Sequence, residues 1–551
     1  MAFFQIVAAD IDGTLTSAGA LSDEALRAIR RSRDRGVCVV FVTGRIAAEL
    51  YAEFPGIADH ADALVLENGA VAVIDGQETV LTAPVEPALD TELTRRRIPF
   101  RRGAALIAAD AQYAPDVIEA IGVLGLDCQI VRNRDALMVL PAGVTKGSGL
   151  HSLLSRLNRS LHNTIAIGDA ENDLSMMAAS EIGVAVANSV ASVKAHADLV
   201  LDDRDGKGVA RLLDGPILSG ARRWCPIRRW IHVGTFEDQT PAQLPGSQGR
   251  IVVTGPPGSG KSHLIGLMAE QWILAGYGVL VVDPEGDHTE LRELDNVVLV
   301  DSRHRLLEPT DLVEMLHPRT SLVVDLSALD GDAKRGYAHR LRTVVEAHRE
   351  RHGFPHWVIW DEAHLLGPGQ EQRWVRRGGY VLSSFAPATL PAEEIDASDV
   401  VLETHLTDRT GAVPYPVPQA TVRHGTARPR PFTVATRRTT HIRHRHKYAD
   451  VALPRERRFY FHQPDGRFVA PAATLRDFGE AVVQLTPEAL QFHLERGDFS
   501  RWLGHTIADA ELAAEVASWE DELLAHRAAE AERLRIRIAD AVRTRYLGEP
   551  D

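Results

Sequence analysis

The sequence predicts an α/β protein made of several domains. Short apolar runs, among them residues 3–9, 37–42 and 250–253, end in acidic, hydroxyl or glycine residues, which is typical of buried parallel strands. Stretches with apolar residues at helical spacing lie between these runs, so strands and helices alternate as they do in βαβ units. At 551 residues the chain is too long for one ordinary domain, and its length favours about three.

Composition excludes several classes of protein. The chain is 45% hydrophobic and 25% charged, as globular proteins are, and its net charge of −14 argues against a protein that coats nucleic acid along its whole surface. The three cysteines, Cys38, Cys128 and Cys225, form no CxxC pair, which indicates a reducing compartment and excludes a thiolate zinc site. Because no signal-peptide pattern and no apolar run of roughly 20 residues occurs, we expect a cytoplasmic protein without membrane contact.

The first apolar run ends in two acids, Asp10 and Asp12, which Gly13 and Thr14 follow. Side chains two residues apart on an extended strand point in the same direction. One carboxylate can then attack a substrate while the other transfers protons, with a divalent cation offsetting their repulsion. The alternative is a strand that simply ends in an acidic turn, and residues further along the chain decide between the two interpretations.

Three later segments supply residues that fit the catalytic interpretation. A second apolar strand ends in a TGR run, which is Thr43, Gly44 and Arg45. A lone lysine, Lys146, opens a predicted helix. A third strand ends in GDxxND, which contains Asp169, Asn172 and Asp173. With the DxDGT run at Asp10, they resemble the four motifs of the haloacid dehalogenase (HAD) superfamily of phosphatases, in the form typical of its Cof-like branch. The resemblance covers about the first 210 residues and implies a Rossmann-like core.

The resemblance also implies a role for each residue. Asp10 would attack phosphorus and form an aspartyl-phosphate, and Asp12 would act as the general acid and base. Mg²⁺ would be held by Asp10, the backbone carbonyl of Asp12 and Asp169, with Asp173 in support. Phosphoryl oxygens would be bound by Thr43, the N–H of Gly44 and Lys146, with Arg45 and Asn172 as further contacts.

Two other stretches bear on this first domain. Asn68 and Gly69 follow a strand and form either a tight hairpin turn or the family's element near the phosphate pocket; both interpretations stay open. The insertion at about 82–143 resembles the small α/β cap of archaeal-type phosphoglycolate phosphatases. A lid of this kind excludes water and selects the leaving group. It implies a small phosphorylated metabolite as substrate, with 2-phosphoglycolate first and a sugar phosphate second.

A second functional region begins with the strand at 250–253. The pattern GxxxxGKS follows it and precedes a helical run; its key residues are Gly255, Gly258, Gly260, Lys261 and Ser262. The glycines let backbone N–H groups surround a phosphate, while the lysine reaches the β/γ-phosphates and the serine holds Mg²⁺. The pattern therefore predicts a nucleotide-binding P-loop with ATP as its ligand.

The strand at 357–360 ends in Asp361, expected to order the Mg²⁺ shell, and Glu362, expected to polarise the attacking water. The block at about 248–412 resembles the HerA/FtsK-like branch of P-loop ATPases, which implies ATP hydrolysis and allows an oligomer through this domain. Ser383 or Ser384 is expected to contact the γ-phosphate. Asp283 and Asp287 are interpreted as a strand end and a turn outside the site. No arginine finger can be assigned among Arg335, Arg340, Arg373, Arg376 and Arg377.

We therefore predict an HAD domain with a cap, a connector, a P-loop ATPase domain, a basic linker and a mainly helical C-terminal domain, at 1–214, 215–247, 248–420, 421–458 and 459–551. The basic linker is either a solvated segment or a phosphate or nucleic-acid contact. The leading hypothesis is a Mg²⁺-dependent phosphomonoester hydrolase fused to an ATP-hydrolysing domain. The alternative is a nucleic-acid-associated or partner-remodelling ATPase whose first domain is regulatory or processes a nucleic-acid end.

Overall fold

The chain folds into three domains, each with its own hydrophobic core. The computed structural model describes residues 3–17, 19–133, 136–256, 259–366, 378–385, 390, 392–405, 419–439, 453, 455–507, 509–526 and 531–547. Helices and sheets are both plentiful, so the predicted α/β class is confirmed. No helix in these ranges is both long enough and apolar enough to cross a membrane.

The first domain contains an eight-stranded sheet and a smaller four-stranded one. Its strands are β1 Ile6–Asp10, β2 Thr16–Ser17, β3 Ala20–Leu21, β4 Cys38–Val42, β5 Ala63–Leu66, β6 Val71–Ile74, β7 Gln77–Val80, β8 Phe100–Arg102, β9 Ile107–Asp110, β10 Cys128–Asn133, β11 Ala136–Pro141, β12 Thr164–Gly168, β13 Ile182–Ala185 and β14 Leu199–Val200. The large sheet has the order β14-β13-β12-β1-β4-β5-β6-β7, with antiparallel pairing only at β6 and β7. The small sheet is antiparallel, in the order β10-β11-β9-β8.

Helices cover both faces of the large sheet, and two further helices pack on the small one. The core helices are Asp23–Asp34, Ala47–Glu53, Lys146–Arg156, Leu174–Ala179, Ala191–His196 and Asp205–Leu213; the cap helices are Pro87–Arg95 and Ala114–Leu124. Ser22 caps the first helix by accepting a hydrogen bond from the N–H of Ala25, as its sequence position predicts. The small sheet and its two helices form the predicted cap, with a separate apolar core.

The second domain is organised around an eleven-stranded sheet. Its strands are β15 Ile231–Phe236, β16 Pro241–Leu244, β17 Arg250–Thr254, β18 Val279–Asp283, β19 Val297–Asp301, β20 Ser321–Asp325, β21 Trp357–Trp360, β22 Tyr380–Ser384, β23 Val400–His405, β24 Gln419–His424 and β25 Arg430–Val434. The order is β16-β15-β25-β24-β23-β17-β22-β21-β18-β20-β19, parallel from β23 to β19 and antiparallel from β16 to β23. Its helices are Lys261–Leu274, Pro309–Glu314, Gly331–His352, Ala363–Leu366 and Ala392–Asp396.

This sheet corrects two predicted segment boundaries. β15 and β16 lie within the predicted connector at 215–247, and β25 lies within the predicted basic linker at 421–458. β15 pairs antiparallel with β25, which places Gly234 opposite Val434. Both segments therefore belong to the sheet of the second domain. The sequence did not reveal this because the partners are distant in the chain and neither segment carries a clear alternating pattern. Residues 440–452 of the basic segment lie outside the described residues.

The C-terminal domain is mainly helical, as predicted, and begins with a β-hairpin. Its elements are β26 Phe459–His462, β27 Phe468–Ala472 and the helices Leu475–Gln484, Pro487–Glu495, Asp498–Trp502, Ala510–His526 and Ala531–Val542. Thr486 caps the second of these helices, and Pro487 occupies its first turn, where a missing N–H costs nothing. Phe461, Phe478 and Phe499 are fully buried at the centre of this domain.

The first and second domains pack against each other through the amino ends of their strands. Glu181, which precedes β13, is fully buried and accepts hydrogen bonds from the hydroxyls of Tyr277 at 2.9 Å and Ser247 at 2.5 Å. The His162 ring contacts the same carboxylate at 2.9 Å and stacks on Tyr277 at 3.7 Å between ring centroids. Burial alone would raise the pKa of Glu181, but hydrogen bonds from His162 and Ser247 and the charge of Arg229 lower it. The interface is thus built around one ionised carboxylate.

Backbone carbonyls of the second domain complete this interface. Gln5, just before β1, donates to the carbonyls of Arg349 and Glu350, and Arg159 donates to that of Arg351 at 2.9 Å. The central strands β1 and β18 have five residues each, and a strand rises about 3.3 Å per residue. The two strands and the interface between them therefore place the two carboxyl edges on the order of 40 Å apart. Any chemistry at those two edges therefore takes place at two separate sites.

We predict that Glu181→Ala destabilises the folded two-domain unit by about 3 kcal/mol, because His162, Tyr277 and Ser247 would lose a buried charged partner. Thermal unfolding followed by calorimetry measures the effect. Asp202→Ala is the matched control, since Asp202 is 87% exposed and its ion pair with Arg211 contributes little. Equal melting temperatures for the two variants would show that Glu181 does not hold the interface.

Candidate functional site

The first site centres on a buried lysine between two aspartates at the carboxyl ends of β1 and β12. The Lys146 Nζ lies 2.5 Å from Asp10 Oδ1 and 2.6 Å from Asp173 Oδ1, and all three side chains are almost fully buried. Lys146 opens its helix behind the N-cap Thr145, whose hydroxyl accepts from the N–H of Ser148. This N-cap fixes where the helix begins and therefore where the Lys146 ammonium group points.

Burial and charge act in opposite directions on these groups. Burial raises the pKa of Asp10 well above its ordinary value, with Asp173 and Asp169 adding to the rise and Lys146 opposing it. Burial alone would lower the pKa of Lys146, but Asp10 and Asp173 raise it above its ordinary value. The lysine therefore remains a cation that offsets part of the negative charge collected here.

Asp12 faces a different partner from Asp10. Both Asp12 oxygens accept hydrogen bonds from Arg45, from Nε and from one terminal nitrogen, each at 2.8 Å. Arg45 also pairs with Glu53, and the hydrogen bonds that it donates to Asp12 and Glu53 raise its pKa above the ordinary value. The structure places Arg45 as the group that orients the Asp12 carboxylate at the site, since two bonds fix a planar guanidinium on a carboxylate.

Thr43 and Gly44 follow β4 and lie next to the strand that carries Asp10, because Asp10 pairs with Val42. Thr43 is buried, and its hydroxyl accepts from the N–H of Arg45 at 3.2 Å. Gly44 lines the cavity, and a β-carbon there would lie 3.1 Å from the terminal methyl of Met138 in the cap. A side chain at this position would therefore press directly on the cap.

The Glu67–Gly69 segment serves both as a turn and as a site contact. Residues 67–70 connect β5 to β6, whose register places Leu66 opposite Val71, so the hairpin loop is longer than a two-residue turn. Asn68 accepts a hydrogen bond from Asn172 Nδ2 at 3.0 Å and donates to the Met138 sulfur. The two open interpretations of the Asn-Gly pair are thus compatible, and Asn68 links the site to the cap.

Glu67 is a residue that the sequence analysis missed. Its buried carboxylate accepts hydrogen bonds from the N–H groups of Ala104, Ala105 and Leu106 at 2.7–3.0 Å, where the cap chain turns between β8 and β9. This bond set ties the cap to the core. Its only signal in the sequence is an acid directly before the Asn-Gly pair, and a single acid at a strand end carries no information about a partner so far along the chain.

Core and cap together enclose a cavity of about 280 Å³ above Asp10. The core contributes acidic and polar groups, and the cap contributes Arg101, Ala108, Ala136 and Met138. Arg101 pairs with Glu49 of the core at 3.0 Å across the mouth of the cavity. A compact anionic molecule fits this combination of size, apolar roof and basic rim.

Asp10, Asp169 and Asp173 offer carboxylate oxygens within 4.8 Å of one another, a set that can hold a metal ion. Carboxylate oxygens are the donors that Mg²⁺ prefers, so the residues present fit that ion. Asp173 also accepts from the N–H groups of Asp169 and Ala170 at 2.9 and 3.0 Å, which fixes the turn that carries Asp169. The Asp12 carboxylate is not part of this set, and metal binding by the Asp12 backbone carbonyl stays a prediction.

The second site lies at the carboxyl edge of the second sheet. The Lys261 Nζ contacts Glu362 Oε1 at 3.1 Å, and both side chains are buried. Gly255 and Gly260 have φ values of 148° and 100°, which favour glycine and let the loop curve before the helix that Lys261 opens. Gly258 lies outside the described residues. The structure therefore brings the predicted lysine and general base together.

Ser262 contacts a residue that was predicted to lie outside the site, and Asp361 contacts a histidine that the sequence did not single out. Ser262 donates its hydroxyl to Asp287 Oδ2 at 2.6 Å, and Asp361 contacts His288 Nε2 at 2.9 Å. Asp283 lies within the same cluster, and burial, reinforced by Asp287 and Asp361 and opposed by His288, raises its pKa to about 7. Asp283 does end β18 as predicted, but the prediction that it and Asp287 lie outside the site is wrong, because β18 and β21 are neighbours and their carboxyl ends meet.

The two serines at the end of β22 differ in their contacts. Ser383 donates to Asp361 and accepts from the N–H of Glu362 at 2.9 Å, so it belongs to the acidic centre. Ser384 contacts His364 Nδ1 at 3.1 Å. Of the arginines considered as fingers, Arg373, Arg376 and Arg377 lie outside the described residues.

Comparisons with known proteins agree with this division. Residues 7–116 and 124–213 match the haloacid dehalogenase-like hydrolase family, and residues 248–341 match the central domain of helicase HerA. The phosphoglycolate phosphatase of Archaeoglobus fulgidus is 33% identical over 226 residues, which cover 38% of this chain and 94% of that protein. The enzyme of the same name from Methanopyrus kandleri is 33% identical over 232 residues, 38% of this chain and 95% of that protein.

A crystal structure of a haloacid dehalogenase-like hydrolase from Bacteroides thetaiotaomicron is 21% identical, with a TM-score of 0.32, and covers 38% of this chain and 98% of that one. The resemblances read from the motifs are confirmed by the family matches. The chain therefore belongs to the haloacid dehalogenase-like hydrolase family, and it carries beyond that region a second domain of the HerA central-domain type.

Proposed function

We propose that the first domain hydrolyses a small phosphomonoester with Mg²⁺ and through an aspartyl-phosphate. The observation that carries this proposal is the buried Lys146, which holds Asp10 at 2.5 Å beneath a capped cavity. A carboxylate that is fixed, screened from bulk water and paired with a cation is suited to attack phosphorus.

The reaction proceeds in two displacements. An Asp10 oxygen bonds to phosphorus as the bond to the leaving oxygen breaks, and Asp12 gives that oxygen a proton. Asp12 then removes a proton from water, which attacks the aspartyl-phosphate and releases inorganic phosphate and Asp10. Lys146, Thr43 and the N–H of Gly44 hold the phosphoryl oxygens. Mg²⁺, held by Asp10, Asp169 and the Asp12 carbonyl with Asp173 in support, would neutralise charge on the phosphoryl group.

The substrate we propose is a small phosphorylated metabolite, 2-phosphoglycolate first and a sugar phosphate second. A cavity of about 280 Å³ admits a small metabolite and leaves little room for an oligonucleotide end. Arg101 at the mouth supplies a cation for a substrate carboxylate. The phosphoglycolate phosphatases similar to this chain support the same order of preference.

For the second domain we propose ATP binding and hydrolysis. Lys261 and Ser262 would bind the phosphates and Mg²⁺, Asp361 would order the metal shell, and Glu362 would activate water. The contact of Lys261 with Glu362 supports this assignment, because it places the phosphate-binding cation and the general base side by side.

Asp10→Asn is expected to reduce Mg²⁺-dependent phosphomonoester hydrolysis roughly 10³-fold or more, because an amide cannot form the acyl phosphate. Phosphate release from 2-phosphoglycolate measures the loss, and ATP hydrolysis in the same preparation should persist because the sites are separate. Asp75→Asn is the matched control in an exposed turn whose φ of 50° asparagine tolerates. Near-normal phosphatase rates in Asp10→Asn would assign the nucleophile elsewhere.

Lys261→Ala should weaken ATP binding, whereas Glu362→Gln should preserve binding and slow turnover about 10²-fold or more, because only the glutamate acts on the attacking water. Nucleotide titration and a steady-state ATPase assay separate the two effects. Glu314→Gln, at an exposed position of the same domain, is the control. Unchanged turnover in Glu362→Gln would move the general base to another group.

Arg101→Gln should raise KM for 2-phosphoglycolate about tenfold and leave kcat nearly unchanged, because one charge-assisted contact with the bound carboxylate is lost. Ethyl phosphate, which lacks the carboxylate, should not distinguish this variant from the parent. Arg95→Gln, on the cap helix and 67% exposed, is the control variant. Equal effects on both substrates, or a clear preference of the parent for a phosphorylated oligonucleotide end, would contradict the proposed substrate.

A further inference from the structure

The C-terminal domain contains an open cavity of about 510 Å³ that the proposed phosphatase and ATPase activities do not use. The β26–β27 hairpin forms one wall, and the helices Pro487–Glu495 and Asp498–Trp502 form the other. Its lining combines cations with aromatic rings. This combination distinguishes it from the acidic catalytic centres of the other two domains.

Three arginines give the cavity a local positive charge within a chain whose net charge is −14. Arg458, Arg496 and Arg501 line it, and Asp498 is the single acid among the lining residues. The Arg496 and Arg501 side chains are 59% and 58% exposed, although each contacts Asp498 at 3.3–3.4 Å. One carboxylate therefore positions two guanidinium groups without neutralising both, and an anion can approach them from solvent.

The walls are held rigidly by buried polar contacts. The His493 Nε2 accepts from the N–H of His462 at 2.9 Å, and its Nδ1 contacts Asp498 at 2.9 Å. The Trp502 indole donates to the Arg457 carbonyl at 3.0 Å, next to Arg458. Burial lowers the pKa of His493, in keeping with a neutral ring that donates on one side and accepts on the other. The arginines thus extend from a fixed frame.

Aromatic rings continue from the cavity across the exposed face of the hairpin. Tyr460 is 40% and Phe468 53% exposed, and their ring centroids lie 6.3 Å apart. His462 lies 5.9 Å from Phe468, and Phe492 carries the Arg496 guanidinium at 5.1 Å. Neighbouring exposed rings beside charged groups form the kind of apolar patch that marks an interaction site.

We propose that this arginine-lined cavity and the adjoining ring face bind a segment of single-stranded nucleic acid. Phosphates would contact Arg458, Arg496 and Arg501, and successive bases would stack on the rings, as sequence-tolerant single-strand binding requires. Several rings in series fit several bases, whereas one free nucleotide would use only part of the surface. A duplex keeps its bases stacked internally and offers no faces to these rings.

Anisotropy of a fluorescein-labelled ten-residue oligo-dT with the full-length chain, in EDTA and without ATP, tests this proposal. Arg496→Gln/Arg501→Gln should weaken binding at least tenfold and reduce the salt dependence from a log–log slope of about −2 to about −0.7, since two of three phosphate contacts are lost. Tyr460→Ala/Phe468→Ala should weaken binding at least tenfold through lost stacking. Arg467→Gln, an exposed arginine at the tip of the same hairpin, should bind like the parent.

The two double variants also separate folding from binding. The arginine pair is more than half exposed, so its replacement should leave the melting temperature unchanged even if the aromatic pair perturbs the hairpin. Parent-like affinity in the arginine variant would overturn the proposal. Competition by a hairpin duplex as strong as that by unlabelled oligo-dT, or displacement by equimolar AMP or phosphate, would also overturn it. Loss of binding in both double variants with Arg467→Gln intact would support it.

Discussion

The arrangement of the first two domains depends on one buried carboxylate, Glu181. It lies where the amino ends of two sheets meet, and partners from three segments, His162, Ser247 and Tyr277, converge on it. A buried charge is tolerated only with full hydrogen bonding, so this contact admits one relative placement of the sheets. Because parallel strands present their functional residues at their carboxyl ends, back-to-back packing sends the two sites to opposite faces.

The first site differs from this interface, because several buried carboxylates lie close together there. Asp169 and Asp173 lie close to Asp10, and the Lys146 ammonium contacts both Asp10 and Asp173. The negative charge of this cluster can bind a metal ion. The cap contacts the core through Glu67 and Met138, so the charge lies at the base of a small cavity between core and cap.

The sequence predicted the residues whose role follows from their place on a strand end. Asp10, Asp169 and Asp361 each lie at the end of an apolar run, and parallel strands bring such ends together. It did not predict Asp287 beside Ser262, because that contact depends on which strands are neighbours in the sheet. β15 and β25 were missed for the same reason, since their pairing joins segments separated by the whole parallel sheet. Glu67 escaped because its partners are backbone N–H groups, which leave no pattern in side-chain identity.

The helix Gly331–His352 runs from the carboxyl edge of the second sheet to the interface with the first domain. It begins after β20 at the edge that carries Asp325 and Asp283, whose charges act on Lys334 in its first turn. At 1.5 Å per residue its 22 residues span about 33 Å and end at the carbonyls that Gln5 and Arg159 bind. A helix transmits displacement along its axis with little compression. A displacement of its amino end would therefore reach Gln5, directly before β1, and Arg159, in the segment that leads into β12, and these strands carry Asp10 and Asp169.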